Sequence, residues 1–155
     1  MTLQDLHRFA EDFLQEEFNM SLDIPIKLNG RLKRAGGRFI SRSHSAVEID
    51  LNKTVYEHNP IDVVLDILKH ELVHYALFEK GLPYRDGDRV FENTLARLGV
   101  SSTNTLRVKT KAHVYKCDCG KEFIKRNTRL PRNMYFACDC GNLVTSSYWA
   151  KETIV

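Results

Sequence analysis

His70, Glu71 and His74 stand as His-Glu-Leu-Val-His inside a long apolar stretch, the spacing a metal-dependent hydrolase uses. Residues four apart share one face of a helix, so both imidazoles can point at a single Zn2+ while the carboxylate at 71 reaches a water beside it. Glu71 is then the general base that takes the proton as water attacks a carbonyl. A catalytic zinc takes three protein ligands and leaves the fourth position open, so one ligand is missing from this stretch. Three downstream acids compete for the place: Asp86, Asp88 and Glu92. Asp88 precedes a predicted helix and is placed to cap it, which weakens its claim. Asp86 lies in the loop and Glu92 on the helix, and spacing alone does not separate them.

A second constellation lies in the last quarter of the chain. Cys117-Asp118-Cys119-Gly120 and Cys138-Asp139-Cys140-Gly141 read as one knuckle written twice, with 18 residues between the cysteine pairs. All four cysteines fall here, and close pairs suit a metal knuckle better than a disulfide framework. Four thiolates make a structural zinc site, the other reading being four reduced thiols packed in a small sheet without metal; one catalytic Zn2+ is expected, and a second, structural one where the knuckles close on a metal.

The elements that must position these groups are marked by their ends. Ile61 to Lys80 keeps a helical apolar spacing on more than one side, which predicts a buried helix, with Asn59-Pro60 as its start and Gly81 as its stop. Leu3 to Asn19 is amphipathic, and Thr2 with Asp5 can form a capping pair. Ile24–Leu28 reads as a strand that turns at Asn29-Gly30, and Ala35-Gly36-Gly37 as a turn into a strand ending near Ile40. Ala46–Leu51 alternates as a half-buried strand does. After the irregular run 82–88 comes a predicted helix from Arg89 to Leu98, stopped by Gly99. Ser101-Ser102-Thr103-Asn104-Thr105 is a polar run of the kind that separates domains. The expected organisation is therefore residues 1–104 as one unit and residues 105–155 as a small β module that needs a staple to persist at its size.

Charge is divided along the same line. Residues 1–104 carry 13 Lys and Arg against 16 Asp and Glu, whereas residues 105–155 carry 10 against 4. Lys121, Lys125, Arg126, Arg129 and Arg132, interleaved with Tyr115, Phe123, Tyr135 and Phe136, resemble a surface for DNA, the other reading being a solvated basic face. No apolar run is long enough to span a bilayer and no charged-then-apolar leader opens the sequence, so no membrane partner and a cytoplasmic location are expected.

The series Arg31-Leu32-Lys33-Arg34-Ala35-Gly36-Gly37-Arg38-Phe39, Glu48-Ile49, Lys69-His70-Glu71-Leu72-Val73-His74-Tyr75 and Gly81-Leu82-Pro83-Tyr84-Arg85, followed by the paired Cys-Gly knuckles, resembles the SprT-like family over nearly the whole chain. The resemblance implies an α+β fold: a zincin-like metalloprotease domain with the His-Glu-x-x-His helix and a small mixed sheet, then a zinc-ribbon-like module. It also implies a protein or peptide substrate, in a family whose eukaryotic relatives cut proteins crosslinked to DNA. Members usually carry a third histidine; aligned on Tyr84-Arg85 and Phe91, its place here is held by Asp86, an oxygen donor that ligates zinc at a comparable distance. Members also space their knuckles Cys-x-x-Cys, where this chain has Cys-x-Cys twice. In zincins a strand beside the catalytic helix offers its free edge to the substrate backbone, and Ala46–Leu51 is the expected strand. Tyr75, Tyr84 and His44 are the candidates for polarising an oxyanion, with buried packing as their other role. The alternative to a peptidase is a non-catalytic, zinc-binding, nucleic-acid-associated or regulatory protein that keeps the fold.

Overall fold

The computed structural model describes residues 1–33, 35–103, 105–125, 136–144 and 146–154. The chain is mixed α and β, as expected. Helix α1 (Leu3–Phe18) opens with the capping box that Thr2 and Asp5 predict: the Asp5 N–H donates to Thr2 Oγ1 at 3.2 Å, and the Thr2 N–H to Asp5 Oδ2 at 2.7 Å. Its buried face, Leu6, Ala10, Phe13, Leu14 and Phe18, joins the main core.

Strands β1 (Ile26–Asn29), β2 (Gly37–Arg42) and β3 (Ser45–Asn52) form one sheet in the order β1-β3-β2, with β1 parallel and β2 antiparallel to β3. The strand expected to offer a free edge, Ala46–Leu51, is thus the centre of the sheet, its backbone groups engaged on both sides. The edge beside the helix is β2. Alternation reveals that a strand is half-buried, but its neighbours are set by pairing with distant segments, which alternation does not encode.

Helix α2 (Lys53–His58), which the sequence reading lacked, follows β3 directly; Asn52 Oδ1 accepts the N–H groups of Thr54 and Val55 at 3.0 and 3.3 Å and starts it. The predicted central helix is α3 (Ile61–Glu79), buried along Val64, Leu68 and Leu72–Leu77. Its start differs from expectation. Pro60 takes the cap position without a side-chain bond, while Asn59 ends α2: its amide donates to the Val55 and Lys109 carbonyls, both at 2.8 Å, and accepts the Lys109 N–H at 2.7 Å. The end is as predicted. Gly81 adopts φ +68°, and the Gly81 and Leu82 N–H groups return to the Phe78 and Leu77 carbonyls at 3.0 and 2.9 Å. Helix α4 (Arg89–Leu98) buries Phe91 and Leu95 against α3.

Beyond residue 105, β4 (Lys109–Lys116), β5 (Glu122–Lys125) and β8 (Ser146–Ile154) make an antiparallel sheet in the order β5-β4-β8. Strands β6 (Phe136–Ala137) and β7 (Leu143–Val144) pair separately. A second buried cluster here contains Tyr115, Cys117, Cys138 and Val144, so the cysteines are themselves part of the small core. Among the described residues, no helix is long and apolar enough to cross a membrane.

Candidate metal centres

Because α3 carries His70 and His74 on one face, their rings lie 5.0 Å apart, and the loop after the helix brings Asp86 to both. Asp86 Oδ1 stands 3.2 Å from His70 Nε2 and 3.3 Å from His74 Nε2. Ligand atoms bonded at about 2.0–2.1 Å to a tetrahedral zinc lie about 3.3–3.4 Å apart; both distances from Asp86 match that spacing, and all three donor atoms lie within 4.8 Å of one another, so the set can hold such an ion. The far side of each ring fits as well. His70 Nδ1 donates to the Ser101 carbonyl at 2.9 Å and His74 Nδ1 to the Tyr84 carbonyl at 2.5 Å, which puts the proton on Nδ1 and leaves both Nε2 lone pairs facing Asp86.

The surroundings are aromatic below and open above. Phe91, wholly buried, stacks on His74 at 4.1 Å and meets His70 edge-on at 5.2 Å. Burial holds the His74 imidazole below its ordinary pKa, although the bond to Tyr84 works the other way. Burial also opposes ionisation of Asp86, but the Thr103 hydroxyl and the two imidazoles outweigh it and keep the carboxyl below its usual value. Glu71 is buried, and desolvation pushes its pKa up to about 7 against the pull of His70 and a backbone bond from Phe39. All four residues line a cleft of about 970 Å³, walled by Ala35–Phe39 on one side and by Ser101–Thr103 and Thr105–Val108 on the other.

Strand β2 reaches this wall because two glycines lie at its start. A Cβ on Gly37 would lie 2.8 Å from Glu71 Cγ, and one on Gly36 2.8 Å from Ile67 Cδ1. The pair, read from sequence as a turn, is there for close approach of strand to helix.

The remaining candidates fall elsewhere. Glu92 is not in the donor set: its two oxygens accept the Gly87 N–H at 3.0 Å and the Ser102 hydroxyl at 2.7 Å. Asp88 sits at the cap position of α4 but makes no side-chain cap; its carboxylate turns back to the Arg85 N–H at 2.9 Å. Of the oxyanion candidates, Tyr84 lines the cleft, whereas Tyr75 bonds to Asp23 and Ser21 away from it and His44 lies in the β2–β3 turn with φ +64°.

The four cysteines converge. Cys117 Sγ lies 3.5 Å from Cys140 Sγ and Cys119 Sγ 3.6 Å from Cys138 Sγ, and all four sulfurs lie within 4.8 Å of one another. A disulfide would hold sulfurs at about 2.05 Å. Zinc–sulfur bonds of about 2.3 Å place them about 3.8 Å apart, so these free thiols fit a tetrahedral ion. The two knuckles are built alike: the Cys117 and Cys138 N–H groups donate to the carbonyls of Lys121 and Asn142, and Gly120 and Gly141 donate back to Cys117 and Cys138, each bond 2.9 Å. Gly120 and Gly141, at φ +91° and +90°, permit the tight Cys-x-Cys turn. The Lys121 N–H and the neighbouring thiols lower Cys119 to about 7. The Cys119 N–H pulls Cys117 down, yet burial and the other sulfurs push it to about 12.

Compared with known proteins, residues 3–116 match the sequence profile of the SprT-like family. The chain belongs to the SprT-like family. Protein SprT-like of Bacillus velezensis is 32% identical over 144 residues, 89% of this chain and 93% of the relative. Proteins of the same name from Bacillus subtilis (strain 168) and Staphylococcus aureus (strain MRSA252) are 31% and 29% identical over 136 and 129 residues. These span 84% and 81% of this chain, and 89% and 83% of the respective relatives. The SprT-like profile takes in every residue of the His/Asp centre and stops at Lys116, one residue before the first cysteine.

In this SprT-like chain Lys121, a nucleic-acid contact by the sequence reading, donates to Asp139 at 2.7 Å and so ties one knuckle to the other. Lys125 ends β5 opposite His113, while Arg126, Arg129 and Arg132 lie outside the described residues. Sequence reasoning missed Ser101, Ser102 and Thr103, whose composition is that of a spacer. The Ser101 carbonyl meets His70 and the Thr103 hydroxyl meets Asp86, while the Ser102 hydroxyl holds Glu92, and no local pattern distinguishes such a run from a linker.

Proposed function

We propose that this SprT-like protein is a zinc-dependent metallopeptidase whose first unit is zincin-like, with His70, His74 and Asp86 holding the metal and Glu71 serving as general base. The observation that carries the reading is the buried Glu71 carboxylate beside a donor set of tetrahedral spacing on the floor of a large open cleft. A structural metal site has no use for such a group. Zn2+ held there would supply Lewis acidity, acidifying water and polarising a carbonyl. Glu71, with its affinity for protons raised by burial, accepts the proton from the attacking water and returns it to the leaving amine. The outer edge of β2 supports binding of an extended substrate backbone by strand addition, replacing the β3 edge expected from sequence. Tyr84, on the cleft wall, is the candidate left for oxyanion contact.

The cysteine cluster is assigned a structural zinc, and the basic composition around it supports a DNA-associated setting for the substrate. The deciding experiment incubates the metal-loaded wild type and Glu71→Gln with an unfolded protein, with and without single-stranded DNA. Cleavage by the wild type alone is the expected result; equal cleavage by both removes the catalytic assignment. Stimulation by DNA that fades as salt is raised supports the nucleic-acid partner, and identical rates with and without DNA remove it.

A further inference from the structure

Asp86 is the least restrained member of the His/Asp centre. The two histidines are fixed on a buried helix, but Asp86 sits in a loop with its side chain 53% exposed, followed by Gly87 at φ +83°. An exposed loop carboxylate loses side-chain freedom when it is fixed as a ligand, unless other groups have already set its rotamer.

The structure supplies those groups from a single short segment. The Thr103 hydroxyl donates to Asp86 Oδ1 at 2.5 Å, on the oxygen that faces both imidazoles. One residue earlier, Ser102 donates to Glu92 Oε2, whose partner oxygen Oε1 accepts the Gly87 N–H immediately after Asp86. One residue earlier again, the Ser101 carbonyl takes the His70 Nδ1 proton, while its own N–H donates to Asp66 Oδ1 at 3.3 Å. Three consecutive residues thus brace one histidine, the loop backbone and the carboxylate.

We propose that Ser101–Thr103 is a clasp on the metal centre, with Thr103 the positioning residue for the third ligand and Glu92 the strut that fixes the loop. The proposal rests on the reading of His70, His74 and Asp86 as a metal centre. A carboxylate oxygen has two lone pairs, so Oδ1 can take the Thr103 proton on one and face an ion with the other. Thr103 is therefore a partner of the bound state and not a competitor for it. It also lies 3.5 Å from His70 Nε2, close enough to help screen the site from bulk water on that side. Glu92, one of the two ligand candidates that spacing leaves open, instead holds the loop that presents the other.

The experiment titrates the full chain with Co2+, then measures Zn2+ affinity by competition with a chelator. Thiolate-to-cobalt charge transfer marks the four-cysteine site, and weaker visible bands mark the nitrogen and oxygen site. Thr103→Val is expected to weaken the His/Asp site about 10- to 100-fold, the range seen when outer partners of metal ligands are removed. Thr103→Ser is expected to restore it to within about threefold, and the thiolate bands stay unchanged in both. Wild-type affinity in Thr103→Val overturns the clasp, as does a Thr103→Ser variant as weak as Thr103→Val, since the hydroxyl would not then be the cause. If the wild type shows thiolate bands alone, and Asp86→Ala titrates identically, the metal-centre reading itself fails and takes the clasp with it. Thermal unfolding of Thr103→Val without metal should match the wild type, because the residue is exposed.

Discussion

The His/Asp centre and the four-cysteine cluster are both donor sets of tetrahedral size, yet they are assembled in opposite ways. The cysteine cluster is two copies of one turn, each closed on itself by the same pair of 2.9 Å backbone bonds and bridged to the other by Lys121 and Asp139. Four sulfurs close on one another there, and among the described residues no carboxylate joins the set. The His/Asp centre takes its atoms from a helix and a loop, is braced by a third segment, sits on an aromatic floor and has a buried acid beside it. Among the described residues only three donors converge, and the fourth side opens into the cleft. A closed set of four ligands saturates a metal and leaves it a staple; three ligands with an open side and a nearby base leave it work to do.

The largest effect that tests this contrast is loss of the staple. Cys138→Ser removes one ligand from a small core that the cysteines themselves fill, so zinc content should fall from two equivalents per chain to one. Amide exchange across β4–β8 should then lose its protection, while α1, α3 and α4 keep theirs. Cleavage of a short unstructured peptide should persist. If it vanishes while α1, α3 and α4 stay folded, the cysteine cluster is more than structural and the contrast breaks.

Glu71→Gln tests the other half. The substitution is close to isosteric, so both metal equivalents should remain and hydrolysis should fall by about 10²- to 10⁴-fold, the usual contribution of a positioned general base. Metal content and peptide turnover, measured on the same preparation, check it. An active Glu71→Gln variant would leave the two centres functionally alike.

Features written locally are the ones the sequence reveals. The capping box at Thr2, the glycine stops at Gly81 and Gly99, the His70–His74 face and the paired knuckles each depend on residues a few positions apart, and each stands in the structure where the spacing puts it. The central place of β3 depends on β1 and β2 pairing to it from both sides, which alternation within β3 cannot encode. Asn59 has the look of a cap for α3 because proline follows it, but its side chain is taken by α2 and by Lys109, 50 residues away. Gly36-Gly37 and Ser101–Thr103 carry turn and linker compositions. Their roles arise only because α3 lies against the first and Asp86 against the second.

The aromatic floor separates metal binding from stability. Phe91 is wholly buried and touches both imidazoles, so Phe91→Ala should cost about 3–5 kcal/mol in chemical denaturation, as large-to-small core changes do. Phe91→Leu keeps most of the volume and should cost under about 1.5 kcal/mol, yet it removes the ring stacked on His74. Weaker zinc binding at the His/Asp site in the leucine variant, with the cysteine site unaffected, would show that the floor orients the ligands. Unchanged affinity would reduce Phe91 to packing.

The smallest and sharpest comparison uses the two glycines at the start of β2. At Gly37, a new Cβ meets Glu71 Cγ at 2.8 Å and Oε1 at 3.0 Å, and Ile67 Cγ2 at 3.0 Å. Helix α3 is buried and its backbone cannot retreat, so the side chain of Glu71 must turn, and its carboxylate leaves the position in which the proposed mechanism uses it. At Gly36, the three atoms nearest the new Cβ all belong to Ile67, the closest being its flexible Cδ1 end. Both alanine variants crowd the same strand against the same helix, so both should lose a similar amount of stability, about 1–3 kcal/mol at most. Their rates should part: Gly37→Ala is expected to lower kcat about 10- to 100-fold, as small misplacements of a catalytic group do, with KM little changed, while Gly36→Ala stays within about threefold of the wild type. Equal losses in the two would mean that the strand edge was displaced as a whole, and that Glu71 owes its placement to the sheet and not to the absence of one methyl group.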